Sequence, residues 1–222
     1  MNKIKNIKFW IFDLDNTLYP SSTNLFAKID KLMASFITKH LNVSTEEAIL
    51  IKNDYFKKHG TTLNGLIKNH NIDPYQFLEF VHDIDYSFLN KNTKLNKEIK
   101  NLPGKKIIFT NGSRKHAKNV VSNLELDEDL FSIFDIVDSD FVPKPEKSPY
   151  EKLIKKYDII PEQSLFFEDI ARNLKPAHDL GMRTAWVINE DNWAKEGHDG
   201  VHVHFKIKQL DDFLEQCNLL IN

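Results

Sequence analysis

Residues 9–17 have the sequence Phe9-Trp10-Ile11-Phe12-Asp13-Leu14-Asp15-Asn16-Thr17, an apolar run followed directly by two acidic side chains. The run has the length and composition of a buried strand. Because Asp13 and Asp15 are two residues apart at a strand end, the following loop brings both carboxylates to one opening. Such a pair can hold a hard cation and can do acid–base or nucleophilic work on a phosphate.

Length and composition set the outer limits. The chain has 222 residues, of which 41% are hydrophobic, so it can bury a large core. A formal net charge of −2 provides no basic field, and we expect no nucleic acid polymer as a partner. The single Cys217 excludes an intramolecular disulfide and is expected to be a core residue of the last helix. We find no signal peptide and no run of 18 apolar residues, and therefore expect a cytoplasmic protein without a membrane partner.

Five short apolar runs predict the strands of a parallel sheet. From the second run onward, the stretches between them are long enough for crossover helices, which is the pattern of an α/β fold with a Rossmann-like sheet. Ligands of such sheets bind at the carboxyl ends of the strands. The runs are Lys8–Phe12, Lys105–Phe109, Asp135–Val137, Leu165–Phe167 and Thr184–Ile188.

One long gap interrupts this pattern. Residues 21–96 contain no convincing strand but carry two helix-start signals: Ser44 begins a capping box for a helix through about Lys58, and Asp73-Pro74 begins another through about Asp83. We predict an all-helical cap domain (21–96) inserted into a core domain made of residues 1–20 and 97–222. Tyr19-Pro20 is a candidate hinge between them. The alternative is a packed helical subdomain with no catalytic part.

Polar residues follow four of the predicted strands. Thr110-Asn111-Gly112-Ser113 comes after the second, Lys144 stands between two prolines after the third, and Glu168-Asp169 ends the fourth. Each of these segments alone could be an ordinary helix cap or turn. Together with the first acidic pair, in this order, they indicate phosphoryl chemistry. Ser148-Pro149 is interpreted only as a capping box that begins the next helix.

With these motifs in place, the chain resembles a phosphohydrolase of the haloacid dehalogenase superfamily with a helical cap inserted after the first motif. Four segments further resemble the pyrimidine 5′-nucleotidase branch. They are Asp13–Pro20, His59–Leu66, Phe109–Ser113 and Phe166–Leu174.

The resemblance implies a mechanism for the residues at the strand ends. Asp13 would be the nucleophile and form an aspartyl-phosphate, and Asp15 would protonate the leaving oxygen and later deprotonate the attacking water. Lys144 would stabilise the transferring phosphoryl group. The resemblance also implies a Mg²⁺ ion bound by the Asp13 carboxylate, the Asp15 backbone carbonyl and Asp169. Glu168 and Asn173 would hold metal-bound water, and Thr110, Asn111 and Gly112 would bind phosphoryl oxygens together with Lys144.

The substrate implied by the branch is a small phosphate ester, a pyrimidine nucleoside 5′-monophosphate such as UMP or CMP. Four residues of the helical insertion are candidates for contacting the leaving group: Tyr55, Thr61, Thr62 and His82. A broad-specificity phosphatase, a sugar-phosphate phosphatase and a phosphoglucomutase would keep every core residue found here. Whether the protein is a monomer or a homodimer stays open.

Three other interpretations fit less well. A dehalogenase of the same fold needs no metal and lacks the second acid, so Asp15 and Glu168-Asp169 argue against it. A receiver-type signalling domain also clusters aspartates with a Thr and a Lys, but its phospho-accepting Asp lies mid-chain. A noncatalytic phosphate-binding module would be expected to lose Asp13, Asp15 or Lys144, and all three are present.

The C-terminal region carries two further features. His202 and His204 are two residues apart, which places them on one face of a strand. The spacing can bind zinc, but no third ligand stands nearby in sequence, and a partly exposed edge strand is the preferred interpretation. Trp193, in a polar loop, could pack against the sheet or against a partner subunit.

Overall fold

The computed structural model describes residues 4–221, and in it six strands form one parallel sheet in the order β3-β2-β1-β4-β5-β6. This confirms the predicted α/β fold. The strand order reverses at β1, which pairs with β2 on one side and β4 on the other. In open parallel sheets a crevice forms at the carboxyl ends of the strands at such a point. The strands are β1 Phe9–Phe12, β2 Lys105–Phe109, β3 Phe131–Phe134, β4 Ser164–Glu168, β5 Arg183–Val187 and β6 Phe205–Ile207.

Strand β1 lies at the centre of the sheet, and all four of its residues are buried. A central parallel strand is covered on both faces, which explains why its sequence is continuously apolar rather than alternating. The Phe12 ring stacks on Phe167 of β4 at 5.0 Å between centroids. The Trp10 ring nitrogen donates to the Pro103 carbonyl at 2.8 Å. The position of the acids that follow Phe12 is therefore fixed by the rigid centre of the fold.

The described residues contain nine α-helices. Five of them come between β1 and β2 in the sequence. Four of these five, α1 to α4, share an apolar cluster that includes Phe36, Leu66 and Phe77. Helix α5 instead buries Leu95 and Ile99 in the cluster beside the sheet. The helices are α1 Leu25–Leu41, α2 Thr45–His59, α3 Thr62–His70, α4 Pro74–Val81, α5 Thr93–Asn101, α6 Arg114–Asn123, α7 Lys147–Tyr157, α8 Leu174–Asp179 and α9 Leu210–Ile221.

The helix-start signals of the insertion are confirmed. The Ser44 side chain accepts a hydrogen bond from the Glu47 backbone at the start of α2, and Asp73 accepts one from the Tyr75 backbone at the start of α4. Helix α4 ends at Val81, two residues earlier than expected. The division into domains at residues 21 and 96 stays a prediction, and α5 packs with the sheet rather than with α1 to α4.

The predicted third strand, Asp135–Val137, was wrong by several residues, because β3 ends at Phe134. The Asp135 carboxylate accepts backbone hydrogen bonds from Arg114 and Asp138, which makes a turn at the point where the strand was expected. Ile136 then packs into the cluster of the helical insertion. The apolar stretch before Asp135 is therefore a strand, and the apolar residues directly after it belong to a turn.

The capping box predicted at Ser148 was also wrong. Helix α7 begins at Lys147 with Glu146 at its N-cap position, and no side chain makes the capping bond. Pro149 still lies in the first helical turn, where a missing N–H group costs no hydrogen bond.

The C-terminal histidines do not share a strand face, because β6 begins only at Phe205. His204 Nδ1 instead lies 2.7 Å from the Thr184 hydroxyl of β5. The predicted edge strand is present as β6, but it begins at Phe205, after both histidines. Cys217 is buried in α9, as expected.

Within residues 4–221, every α-helix is too short or too polar to span a membrane.

Gly65 offers a test of packing in the insertion. A Cβ atom at Gly65 would lie 2.4 Å from the Tyr55 Cβ and Cγ atoms, the inflexible base of that side chain. We expect Gly65→Ala to lower the free energy of unfolding by about 1–3 kcal/mol through overpacking. In a Tyr55→Gly background, which removes both the Cβ and the Cγ atom, the same change should be neutral or stabilising by up to about 1 kcal/mol, because alanine favours helix over glycine. Urea denaturation of the four proteins measures the sign reversal, and equal destabilisation in both backgrounds would contradict it.

Candidate active site

The polar residues predicted at the strand ends converge on one cavity of about 520 Å³. The cavity lies between the carboxyl edge of the sheet and helices α1 to α4. Strand β1 contributes Asp13 and Asp15, β2 leads to Thr110, and β4 leads to the Glu168-Asp169 pair. Lys144 enters from the loop between β3 and α7.

Lys144 is the link between the strand ends. Its side chain is 1% exposed, and Nζ donates to Asp13 Oδ1 and Glu168 Oε2, both at 2.6 Å, and to the Phe109 carbonyl at 2.9 Å. Burial lowers the pKa of Lys144, but the two carboxylates outweigh this effect and raise it. The lysine is therefore a buried cation whose three N–H donors are all used.

A third buried carboxylate, Asp169, lies beside the two that contact Lys144. Oxygen atoms of Asp13, Glu168 and Asp169 lie within 4.8 Å of one another, and all three residues are buried. Burial and the neighbouring Glu168 raise the pKa of Asp13 to about 8, and the same causes raise that of Asp169 well above its usual value. A set of oxygen donors with more negative than positive charge fits a hard divalent cation.

Two asparagines hold Asp169. Asn189 Nδ2 donates to Asp169 Oδ2 at 2.7 Å, and Asn16 Nδ2 approaches the same oxygen at 3.4 Å. Asn173 lines the cavity next to Asp169, and its carbonyl accepts the Tyr150 hydroxyl at 2.5 Å. Our sequence analysis missed Asn16 and Asn189. The signal for Asn189 was available, since it follows the end of β5 at the same edge of the sheet.

The Thr110 loop is connected to the Lys144 loop. Thr110 Oγ1 accepts the Gly112 backbone N–H at 2.9 Å, which curls the loop, and Asn111 Oδ1 accepts the Lys144 backbone N–H at 2.9 Å. A Cβ on Gly112 would lie 3.2 Å from the His116 ring and 3.3 Å from Thr110 Oγ1, so a larger residue here would have to displace the ring or the hydroxyl slightly. Hydrogen bonds therefore join the loop of the phosphate-binding candidates directly to the loop of the buried cation.

Asp15 belongs to a different network from Asp13. Its Oδ1 atom accepts the Tyr19 hydroxyl at 2.5 Å and lies 2.7 Å from His116 Nε2. Burial raises the pKa of Asp15, but the charge and hydrogen bond of His116 and the bond from Tyr19 outweigh it, so the pKa lies below its usual value. Because an ionised carboxylate only accepts hydrogen bonds, Nε2 carries the shared proton.

His116 was not identified from the sequence, although it lies in the first turn of α6, directly after the Thr110 loop. The residue is fully buried, and its other nitrogen pairs with the Tyr86 hydroxyl at 2.9 Å. The His82 ring stacks on it at 4.3 Å, and Ser113 Oγ lies 3.0 Å from His82 Nδ1. Burial lowers the pKa of His82 well below its usual value. Tyr19, the predicted hinge, is buried beside Asp15.

Three of the four residues proposed to contact the leaving group line the cavity: Thr61, Thr62 and His82. Tyr55 lies outside it, which corrects that choice. On a helix, adjacent residues point about 100° apart. Tyr55 accordingly packs against α3, with its hydroxyl 2.7 Å from His70 Nε2, while its neighbour Phe56 faces the cavity.

The sequence also gave no decision on Trp193. Its ring lies in the cavity wall, 6.2 Å from the Phe26 ring and 5.7 Å from the Phe56 ring. Trp193 follows β5, whereas Phe26 and Phe56 belong to α1 and α2. The residue therefore packs within the chain, against the helical insertion.

This arrangement corresponds to a known family. The sequence matches the haloacid dehalogenase-like hydrolases over residues 7–181, most of the chain, and the protein belongs to that family. The branch within the family stays a prediction.

Two relatives have names that refer to phosphate. Phosphate metabolism protein 8 of Saccharomyces cerevisiae is 29% identical over 94% of this chain and 71% of its own length. Enolase-phosphatase E1 of Danio rerio is 25% identical over 49% of this chain. That match spans 42% of the fish protein. The family match shows that the chain is a hydrolase of this family.

Solved structures share the fold at low sequence identity. A HAD phosphatase from Thermococcus onnurineus superposes with a TM-score of 0.61 at 16% identity, covering 95% of this chain and 97% of that chain. L-2-haloacid dehalogenase from Xanthobacter autotrophicus gives a TM-score of 0.56 at 17% identity, with coverage of 94% and 97%. A putative HAD-hydrolase from Bacillus subtilis, bound to magnesium, gives 0.57 at 17% identity, with coverage of 97% and 99%. These likenesses show the fold alone.

The raised pKa of Asp13 predicts how metal affects stability. Without metal, the folded state holds a proton on Asp13 that the unfolded chain, with a pKa of 3.8, has lost. This contribution to stability is fully present below pH 3.8 and is lost as the pH rises through about 8. A bound divalent cation replaces the proton, so we expect the Tm difference between protein in MgCl₂ and in EDTA to widen from about pH 6 to pH 8.

Thermal unfolding at several pH values measures this difference. Asp13→Asn is the control, because the amide has no proton to exchange for a cation. A Tm difference that is constant with pH, or the same pH dependence in the variant, would contradict the assignment to Asp13.

Proposed function

We propose that the protein is a Mg²⁺-dependent phosphomonoester hydrolase in which Asp13 attacks phosphorus and forms an aspartyl-phosphate. The observation that carries this proposal is the convergence of Asp13, Lys144 and the Thr110 loop on one cavity beside a buried acid cluster. A nucleophilic carboxylate needs an opposing positive charge to approach a phosphate dianion, and Lys144 lies 2.6 Å from it.

The Thr110 loop is the proposed phosphate cradle. Thr110 Oγ1 and the backbone N–H groups that follow it lie between the end of β2 and the start of α6. The N-terminus of a helix is a position suited to anions. The backbone of Lys144 is hydrogen-bonded to this loop through Asn111, which places the cation beside the cradle. Thr110 and the backbone N–H groups would bind the equatorial oxygens. Lys144, whose three donors are used within the site, would stabilise the charge on these oxygens during transfer as a nearby cation.

Asp13 and Asp169 are the proposed metal ligands, together with the Asp15 backbone carbonyl. Glu168 uses Oε2 to accept from Lys144 and Oε1 to accept from the Ile170 backbone, so its role is to hold these groups in place. Asn173 would orient metal-bound water. The cation supplies charge neutralisation between the Asp13 carboxylate and the phosphate.

Asp15 is the proposed proton donor to the leaving oxygen and the base in the second step. It is ionised in the free site, and the negative charge of a bound phosphate would raise its pKa so that it takes up the proton that it then donates. Both of its hydrogen bonds end on Oδ1. The second oxygen, Oδ2, is therefore the atom available to the leaving group. His116 acts as a positioning residue, because it fixes the rotation of the carboxylate without lining the cavity.

The substrate we propose is a pyrimidine nucleoside 5′-monophosphate. This follows the branch resemblance and is supported by the cavity, whose volume of about 520 Å³ and partly apolar wall suit a leaving group larger than a sugar alone. The relative from yeast is named for phosphate metabolism, which is consistent with a small phosphate ester. Sugar phosphates are the competing substrates.

Phosphate release from UMP, CMP, AMP, ribose 5-phosphate and glucose 6-phosphate tests both levels of the proposal. We expect UMP and CMP to give the highest kcat/KM, EDTA to abolish release, and Asp13→Asn to reduce kcat by more than about 1,000-fold, since an amide is no nucleophile. If sugar phosphates give the highest values, the chemistry stands and the nucleotide assignment fails. Metal-independent release, or an active Asp13→Asn protein, would contradict the mechanism.

The role of His116 is tested by the leaving group. p-Nitrophenol leaves without a proton, whereas a nucleoside 5′-hydroxyl needs one. We expect His116→Leu to lower kcat/KM for UMP at least about 10-fold more than kcat/KM for p-nitrophenyl phosphate. His116→Gln keeps an N–H donor near the Nε2 position and should recover much of the difference. A purely structural role predicts equal losses for both substrates and no advantage for glutamine.

A further inference from the structure

We infer that α1, α2 and the loop after β5 form a binding subsite for the planar base of the leaving group, made of an aromatic layer and a charged pair. This inference rests on the proposed nucleotide substrate and names the residues that would recognise it. The subsite residues are Phe26 and Asp30 of α1, Lys52 and Phe56 of α2, and Trp193 of the loop after β5. None of them belongs to a recognisable sequence motif.

The aromatic layer is formed by Phe26, Phe56 and Trp193. Trp193 touches both phenyl rings, meeting Phe56 edge-on at 88° and Phe26 at 33°. All three rings line the cavity and are only partly buried, so ring surface stays open to a ligand. The Arg172 guanidinium lies 4.8 Å from the centroid of the Phe56 ring and holds it in place. Aromatic side chains of this kind stack on nucleobases.

The charged pair lies one helical turn away on the same faces. Asp30 follows Phe26 by four residues on α1, and Lys52 precedes Phe56 by four on α2, so both pairs are on matching sides of their helices. Lys52 Nζ donates to Asp30 Oδ2, and both residues line the cavity. The lysine side chain is only 9% exposed.

A buried lysine beside a carboxylate matches the hydrogen-bonding edge of a pyrimidine. The ammonium group has three donors and uses one on Asp30, while the carboxylate keeps acceptor capacity. Uracil presents an acceptor oxygen next to an N–H donor, and cytosine presents an acceptor nitrogen next to an amino donor. Adjacent donor and acceptor groups on the protein can therefore pair with either ring. The neighbouring wall is apolar, formed by Ile29, Met33, Leu63, Phe77 and Leu78.

The kinetic test compares UMP with ribose 5-phosphate, which keeps the phosphate and sugar but lacks the base. We expect Phe56→Leu, Trp193→Ala and Lys52→Met each to lower kcat/KM for UMP by about 10-fold or more and to leave that for ribose 5-phosphate within about 2-fold. Unchanged turnover of ribose 5-phosphate also shows that a variant is folded. Tyr55→Leu is the matched control, an aromatic residue adjacent to Phe56 on α2 that faces away from the cavity.

Equal losses for the two substrates, no loss for UMP, or an equal effect of Tyr55→Leu would overturn the subsite. If Lys52→Met does not fold, Lys52→Arg keeps the charge while changing the geometry and takes its place. Trp193→Phe, in a loop, serves the same purpose for Trp193→Ala.

A binding test separates this inference from the proposed function. Trp10 and Trp186 are buried, so Trp193 is the partly exposed tryptophan. In the Asp13→Asn protein, uridine should quench tryptophan fluorescence, and Trp193→Phe should remove the change. If UMP is a poor substrate but uridine still quenches, the subsite stands and the substrate proposal fails. If uridine gives no change at saturating concentration, the subsite is overturned whatever the enzyme hydrolyses.

Discussion

The structure depends on the burial of one lysine among several acids. Lys144 joins the ends of β1, β2 and β4 through Asp13, the Phe109 carbonyl and Glu168. Removing charges from water is costly, and one cation cannot compensate the whole carboxylate cluster. The raised pKa values of Asp13 and Asp169 express this deficit. A site that is short of positive charge before anything binds is suited to accept a divalent cation, and then a phosphate that meets both cations.

The parallel sheet makes this concentration of charge possible. Strand β1 lies where the strand order reverses, and its neighbours β2 and β4 end beside it. Side chains from residues 13, 110 and 168 thus meet although they are far apart in sequence, and the apolar strands behind them provide a rigid base. Asp15, only two residues beyond Asp13, is drawn to another partner. His116 and Tyr19 hold it as a carboxylate on the side of α6, so two adjacent acids have opposite pKa shifts.

The parts that could be predicted from sequence are those governed by local rules. Apolar runs predicted β1, β2, β4 and β5, and Ser44 and Asp73 predicted two helix starts, because a strand or a cap depends on a few consecutive residues. The failures also have local causes. Asp135 ends β3 by accepting two backbone hydrogen bonds, which its neighbours in sequence do not reveal. Asn189 and His116 act through contacts across elements, and only the fold shows which acid each of them reaches.

The helical insertion was the hardest part to predict, because its function depends on which face of each helix meets the cavity. Tyr55 and Phe56 are equally aromatic neighbours, yet one packs on Gly65 and the other on Trp193. That choice is made by the packing of α2 against α1 and α3, a long-range property. The core site is built from strand ends, where position in sequence determines position in space. In the function proposed here the insertion would determine which leaving group fits, and the residues of the inferred subsite become visible only when facing helices are seen together.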